Sequence, residues 1–447
     1  MVSPIVRSVA IIGAGPSGLV TARALLAENT FNRIVVYERR DAPGGVWNYS
    51  TETPTNFPYP NSNPNLDVKP ITHEGRSPLY PSALYRDLHT NTPIELMTFS
   101  IQNFPENTEQ FPHRKDVLEY QRRFAEPIRT LIKTSTEVRR IHKQGGQWLV
   151  HSRNVSPNET NAETVEQFDA VAICNGHYQV PFLPDVEGLK EFVEENPGVV
   201  KHSIEFREPE LYRNKKVVVV GNASSANDII RHLSPYSKLP IIQSVLEDPQ
   251  TKHPERLVQV PRIERFDAST KQIHLSDGRV LRDVDYVFYC TGYLYSLPFF
   301  DEQDVPSENR LITNGAYVHN VYQHIFYIPD PTLVFIGLAL HVVPFPVAQA
   351  QAAWVARVWS GRLRLPSREQ QLQWYSEHLS SLNGRNNMFH SLEFPKDAAY
   401  INHIHDLVSK ASPNPETGLP APHWDEKSLK MRENMWKIRA KFFGIED

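Results

Sequence analysis

Apolar residues gather in short unbroken runs at two places in this chain, and both places are built alike. Val9, Ile11 and Ile12 form the first run, a helical pattern follows from Ser17 to about Leu26, and a second run spans Ile34 to Tyr37. Unbroken runs of this length suit parallel strands buried on both faces. The same order returns about 200 residues later, as Lys216–Val220, a helix from about Ser225 to His232, and Ile241–Ser244. Between the two units the pattern predicts an amphipathic helix over Asp116–Thr130 and a hairpin over Val138–Ser152. A solvated polar insertion over 154–164 and a buried strand over Phe168–Ile173 come next. Strands over Leu281–Tyr289 and Leu333–Gly337 follow, and the polar region from Ser367 onward is helical in pattern. The prolines of 48–70 forbid regular helix, so that stretch is expected as an extended surface or binding loop.

These elements predict an α/β fold with two dinucleotide-binding, Rossmann-like domains. The strand ends Cys174-Asn175-Gly176 and Cys290-Thr291-Gly292 read as the exit from the first domain and the return to it. The second domain, 175–290, is therefore expected to be inserted into the first, which comprises 1–174 and 291–447 with the C-terminal helices.

The loops after the leading strands carry the chemistry. Gly13, Gly15 and Gly18, with Ala14, Pro16 and Ser17 between them, give G-x-G-x-x-G where strand turns into helix. Such a loop brings backbone N–H groups and a helix N-terminus up to a pyrophosphate. Glu38 ends the second run, and an acid there accepts from adenosine ribose hydroxyls. The second loop keeps only its first glycine, Gly221; Asn222, Ala223, Ser224, Ser225 and Ala226 complete it. Ala223 holds the backbone slightly farther from phosphate, and Ser224 and Ser225 offer hydroxyl donors. The following strand ends in Gln243-Ser244 without a carboxylate, which removes repulsion against a 2′-phosphate and favours NADP over NAD. Arg231, Lys252 and Arg256 are candidate partners for that phosphate, each more readily read as a solvated surface charge. One acid-bearing and one acid-free site suggest FAD held permanently in the first domain and NADP(H) docking in the inserted one.

Composition narrows the class. At 447 residues the chain exceeds the usual size of one core. A net charge of -4 with no basic block argues against a nucleic-acid surface. The two cysteines, Cys174 and Cys290, form no C-x-x-C, so a dithiol redox centre is not expected and a reducing compartment is. No run of eighteen apolar residues predicts a transmembrane span, and the first strand follows the N-terminus too closely for a signal peptide. A cytoplasmic protein is expected. The basic C-terminal helix pattern reads as a packed helix and leaves peripheral association with the endoplasmic reticulum membrane open. His403 and His405 have no third ligand at a recognisable spacing, so no metal is expected.

The whole set of motifs resembles the flavin-containing monooxygenases, class B flavoprotein monooxygenases, and points to a fungal or lower-eukaryotic member. The resemblance rests on the loop at 13–18, Glu38, Gly44-Gly45-Val46-Trp47, Leu88-His89-Thr90-Asn91-Thr92-Pro93, the loop at 221–226, and Thr291-Gly292-Tyr293. The family's identifying motif, F-x-G-x-x-x-H-x-x-x-[F/Y], falls at Asn196 to Phe206, with Gly198, His202 and Phe206 matching and Asn196 in place of the first Phe. The resemblance implies that NADPH reduces FAD, O2 adds to give a C4a-hydroperoxyflavin, and a soft nitrogen or sulfur nucleophile takes the distal oxygen. It implies Asn91 as the active-site asparagine, a position that turn chemistry alone reads equally as a turn residue before Pro93, with Gly45, Val46, Thr92, Thr291 and Gly292 around the cofactors. Trp47 is expected near the flavin or in the core, Gln349 at a helix start facing the flavin ring or solvent, and Ser244, from the acid-free strand end, beside the second dinucleotide. The substrate is then a small amine or thiol together with O2; a homodimer is compatible. Two other readings stay open here: an FAD-dependent NADPH oxidase or reductase that releases hydrogen peroxide or reduces an acceptor, and a non-catalytic redox-sensing nucleotide-binding protein.

Overall fold

The computed structural model describes residues 6–54, 57–157, 162–251, 253–301, 305–411 and 417–444. Lys252 and the extreme N-terminal residues lie outside them. The chain opens with β1 (Ser8–Ile12), α1 (Pro16–Ala27) and β2 (Arg33–Tyr37). The short α2 (Ile94–Met97) and α3 (Arg114–Ala125) precede β3 (Ile132–Lys133). An antiparallel meander, β4 (Thr136–Gln144), β5 (Gln147–Asn154) and β6 (Glu163–Phe168), leads into β7 (Ala170–Ile173). After β8 (Val180–Pro181) come α4 (Leu189–Glu195), β9 (Val200–His202), β10 (Lys216–Val220), α5 (Ser224–Leu233) and β11 (Lys238–Ser244). β12 (Leu257–Val260) is followed by a second meander, β13 (Ile263–Asp267), β14 (Gln272–Leu275) and β15 (Val280–Leu281), and then by β16 (Tyr286–Tyr289) and β17 (Tyr293–Leu294). The last strands are β18 (Val321–Tyr322), β19 (Phe326–Tyr327) and β20 (Leu333–Phe335). Five helices close the chain: α6 (Pro344–Trp359), α7 (Arg368–Ser381), α8 (Lys396–Ser409), α9 (Glu426–Glu433) and α10 (Met435–Phe442).

Two sheets organise these elements. The first has the order β18-β19-β20-β7-β1-β2-β3, and the second β12-β11-β10-β16-β9. Both are parallel at their centres, so each central strand needs cover on two faces. In β1 the side chains alternate accordingly. Val9 and Ile11 pack with α1 and α6, whereas Ala10 and Ile12 pack with Trp148, Val150 and Phe168 of the first meander. The second unit repeats the plan: Val217 and Val219 face Ile229 and Leu233 of α5, and Val218 faces Phe266, Ile273 and Leu275 of the second meander. Every strand of the second sheet lies between residues 200 and 289, while the first sheet draws on both sides of that interval. Exit and return are tied by the antiparallel pair β8 and β17.

The observed boundaries differ from the sequence reading in four places, each for a local reason. Phe168–Ile173 is not one strand, because the Asp169 carboxylate turns aside to accept from the N–H groups of Arg7 and Ser8 at 2.9 and 2.8 Å. The polar insertion gives way to β6 at Glu163, whose residues pair with β5 through backbone bonds that ignore side-chain polarity. Leu281–Tyr289 breaks at Asp283, which has φ +54°, so its first residues end the second meander and its last form β16. The expected helix over Asp116–Thr130 starts earlier and ends at Ala125, where Pro127 follows and the chain tightens into a 3-10 turn. The described residues of the Pro-rich stretch contain no helix, and they form a strap: Asn61 and Leu183 exchange backbone bonds of 3.0 and 2.9 Å, and Phe57 enters the second unit's core.

Two buried histidines are neutral by construction. His202 accepts the Ile204 N–H at Nδ1, so its Nε2–H donates to the Gly292 carbonyl at 3.1 Å. His390 accepts the Val318 N–H at Nε2, which leaves its Nδ1–H to donate to His324 Nδ1 at 3.1 Å. Burial pushes the His202 and His324 imidazoles down to about 3. The unfolded chain takes up these protons below about pH 6.5, whereas the folded chain refuses them until about pH 3. Stability should therefore fall steadily as pH drops through that window, by up to about 1.4 kcal/mol per pH unit for each histidine. Denaturant midpoints measured at pH 7 and pH 5 check this; equal midpoints would contradict it.

Candidate functional site

Each unit ends its leading strand in a loop pressed under a neighbouring strand. Gly13, at φ +107°, donates its N–H to the Tyr37 carbonyl at 2.8 Å, and a Cβ there would lie 2.6 Å from the Cys174 oxygen. Gly221, at φ +119°, donates to the Ser244 carbonyl at 2.9 Å, and its Cβ would lie 2.8 Å from the Cys290 oxygen. Only glycine fits either crossing. The helix behind each loop, α1 or α5, has no side-chain cap at its N-terminus, so its first N–H groups are open to an anion. This is the donor set a pyrophosphate requires.

The first loop is rigid and mostly covered. Ala14 and Gly15 are buried, and Gly18 has no room at all, since a Cβ would fall 1.8 Å from the Gly13 oxygen. Pro16 begins α1 and Ser17 sits under Gly337, at the end of the segment that follows β20. Glu38 is 4% exposed and accepts from the Ala14 N–H and the Arg40 N–H, both at 2.9 Å. Each carboxylate oxygen retains a second acceptor direction for a ribose hydroxyl. The turn Gly45–Trp47 lies alongside: Gly44 donates to the Ala14 carbonyl at 2.9 Å, Ser82 holds the Val46 carbonyl, and Trp47 packs on the main core. The second loop is open by contrast, with Asn222, Ala223, Ser224 and Ser225 all exposed and Ala226 buried. A covered cradle and an open one suit a resident and an exchanging dinucleotide respectively.

Two expected cofactor residues need correction. Gln349 is fully buried within α6, and its amide is spent inside the protein. It accepts the Ser100 N–H at 2.9 Å and donates to the Pro420 carbonyl at 2.8 Å and to the Ser100 hydroxyl. It joins α6 to two loops and has no face left for a ring system. Ser244 is displaced by one register position. The paired bonds Gly13 to Tyr37 and Gly221 to Ser244 make Ser244 the counterpart of Tyr37, so the counterpart of Glu38 is Val245. The Ser244 hydroxyl points back to the Pro261 carbonyl at 3.1 Å. The absence of an acid at this place still holds, carried by Val245. Sequence spacing alone did not give this register, because β11 carries an irregularity near its start. A cavity of about 350 Å³ opens here, lined by Asn222, Val245, Glu247 and Asp248 among others. Of the candidate cations, Arg256 is exposed, and Arg231 is held by Asp228.

Asn91 sits on a braced loop. The Thr90 N–H donates to the Pro112 carbonyl at 3.0 Å, and its hydroxyl to the Thr92 carbonyl at 2.7 Å. Thr92 is buried, whereas the Asn91 amide is half-buried and bonds no other group among the described residues. Thr291 donates to the Phe182 carbonyl, and Gly292 receives His202, so the motif around Gly198–Phe206 acts here by fixing the return strand. Cys174 and Cys290 are both buried, and burial pushes each thiol up to about 12. His405 bonds the Ala421 carbonyl at 2.9 Å, and among the described residues no third ligand joins it and His403. No helix among the described residues is long and apolar enough to cross a membrane. Sequence reasoning missed Gly337, which packs on Ser17, and Asp228, which pairs with Arg439, because each contact joins residues far apart in the chain.

The glycine geometry separates fold from ligand. Gly18→Ala should cost about 2 kcal/mol or more of stability with or without flavin, because the helix must move off Gly13. Gly15→Ala meets only Gly45 at 3.5 Å, so the flavin-free protein should keep its melting temperature while flavin affinity falls at least tenfold. Thermal melts and flavin titration of both variants check this; undiminished flavin affinity in Gly15→Ala would contradict it.

Comparison with known proteins agrees with the geometry. The model of the flavin-binding monooxygenase-like family matches residues 68–246 and 257–420, and that of the NAD(P)-binding Rossmann-like domain matches 11–69. The flavin-containing monooxygenase ustF2 of Aspergillus flavus is 30% identical over 92% of each chain. The thiol-specific monooxygenase of Saccharomyces cerevisiae is 32% identical over 79% of this chain and 77% of its own. Among solved structures, the S-allyl-L-cysteine S-oxygenase of Allium sativum superposes with a TM-score of 0.79 at 27% identity, covering 97% of this chain and 93% of that one. Two dinucleotide cradles in one α/β chain, matched along most of its length, have a plain meaning: this protein belongs to the flavin-containing monooxygenase family, flavoenzymes that use FAD and NADP(H).

Proposed function

We propose that this monooxygenase uses NADPH and O2 to oxygenate a soft nucleophilic sulfur or nitrogen atom of a small molecule. The observation that carries the oxygenase reading over a dithiol reductase is the state of the cysteines. Both are buried with raised thiols, so electrons reaching the flavin have no dithiol in this chain to pass to, and O2 is the acceptor at hand. The reaction balances as NADPH, H+, O2 and substrate giving NADP+, water and the S- or N-oxide. Relatives named for thiol and S-allyl-L-cysteine oxygenation support sulfur as the first substrate class to try.

The first cradle suits FAD, with the Ser17 and Gly18 N–H groups on the pyrophosphate, Glu38 on the ribose, and Gly45–Trp47 flanking the turn. The second, Gly221–Ala226, suits NADP(H), with Thr291 and Gly292 at the return strand. We accordingly assign 1–174 and 291–447 to the flavin domain and 175–290 to the nicotinamide domain. When bound, the flavin supplies the oxygen activation. The chain's own part is to hold both dinucleotides in register and to keep water from the reacting atoms. The half-buried Asn91 amide offers a donor and an acceptor to keep the oxidised nicotinamide cofactor in place.

Steady-state assays with a low-molecular-weight thiol and a tertiary amine test the reading: product should form in near-equal amount to NADPH consumed. Peroxide with no oxygenated product would replace it with the NADPH oxidase. Asn91→Ser should keep FAD yet raise the peroxide fraction several-fold, and full product yield from that variant would remove the role given to Asn91.

A further inference from the structure

Helix α10 is short and half-exposed, with Trp436 and Phe442 at 49% and 41% exposure, yet its Arg439 is buried. A guanidinium goes inside only where partners offset its lost hydration. Arg439 Nη2 donates to Asp228 Oδ1 at 2.8 Å, and its Nε donates to the Thr90 carbonyl at 3.3 Å. Asp228 lies one helical turn along α5 from Ser224, the loop residue at which the helix begins. Thr90 directly precedes Asn91. One side chain from the end of the protein therefore touches the two segments assigned above to the nicotinamide cofactor.

The surroundings make this contact stiff. Thr90 is fixed by its bonds to Pro112 and Thr92, so a displacement of its carbonyl moves the Asn91 loop with it. Asp228 Oδ1 also accepts from Arg231 at 3.0 Å, and the Arg231 and Arg439 cations both lie over the Phe443 ring, at 4.8 and 5.0 Å. The same ring meets His89 edge-on at 5.4 Å, and Phe442 packs against Phe111 at 5.3 Å. The helix end is thus anchored on the Asn91 loop by aromatic contacts and on α5 by charge.

We propose that Arg439 is a positioning residue: by clasping Asp228 and the Thr90 carbonyl, it holds α5 and the Asn91 loop in one frame, so that the oxidised nicotinamide cofactor stays registered after hydride transfer. The proposal rests on the functional reading above. Arg439 touches no reacting atom and acts through its two neighbours. The planar fork of arginine reaches both acceptors at once, whereas lysine offers a single point charge.

The test uses the FAD-loaded enzyme and the variants Arg439→Met, Arg439→Lys, Asp228→Asn and the double variant Arg439→Met with Asp228→Asn. FAD per chain, the Kd for NADP+ by titration, and peroxide formed per NADPH with saturating thiol are measured for each. FAD content should hold in all four. Arg439→Met should weaken NADP+ at least fivefold and raise the peroxide share several-fold, with Arg439→Lys between it and the wild type. On the Asp228→Asn background the Arg439→Met effect on Kd should shrink, because the carboxylate charge that draws the guanidinium has gone and only a neutral amide acceptor is left at that end of the clasp. Wild-type Kd and coupling in Arg439→Met would overturn the proposal, as would full additivity in the double variant. If Arg439→Met fails to retain FAD, Arg439→Lys decides by the same two readouts, and wild-type values there overturn it. A wild-type enzyme that gives only peroxide would remove the oxygenase reading but leave the NADP+ affinity half of this test standing.

Discussion

The structure depends on one steric constraint met twice, a glycine passing beneath a carbonyl at the end of the adjacent parallel strand. Gly13 under Cys174 and Gly221 under Cys290 leave no space for a Cβ, and each N–H is tied to the next strand of its sheet. That crossing turns the chain sharply enough for a helix to begin at once, with its N-terminal N–H groups facing outward. The candidate site residues are placed relative to these two turns: Glu38 beside the first, Val245 beside the second, and the return segment with Gly292 beyond. The flanking layers, helices on one face and a meander on the other, bury the strands that hold the turns in register.

Much of this was legible in the sequence because it is local. Unbroken apolar runs, glycine spacing and the acid after a second strand are set within about thirty residues, and the first unit could be read almost residue by residue. What could not be read was set by distant partners. Ser244 ends its strand as read, but its carbonyl takes the Gly221 N–H as that of Tyr37 takes the Gly13 N–H, so the counterpart of Glu38 is Val245, one position on. Gln349 looked like a helix-start glutamine near a ring, but Ser100 and Pro420 consume its amide from 249 and 71 positions away. The sequence pattern of 48–70 excluded helix correctly, yet nothing in it announced that Phe57 and Asn61 would strap the second unit.

Function follows from how the two cradles differ and how they are joined. The first is covered and bears a buried acid; the second is exposed and does not. They are linked by the β8–β17 pair, by the strap at Asn61, and by the buried Arg439 between α5 and the Asn91 loop. The proposed reaction needs one dinucleotide held in place while a second arrives, delivers a hydride and stays. A covered first site, an open second site and a polar clasp across their junction suit that proposal, and the two buried thiols offer no exposed dithiol.

The most direct test is rapid mixing of the NADPH-reduced enzyme with oxygen in the absence of substrate, following the flavin absorbance. The account predicts a long-lived species distinct from reduced and oxidised flavin, which collapses to oxidised flavin on addition of a thiol or an amine as the oxygenated product forms. Immediate return to oxidised flavin with stoichiometric hydrogen peroxide, unaffected by either nucleophile, would contradict it.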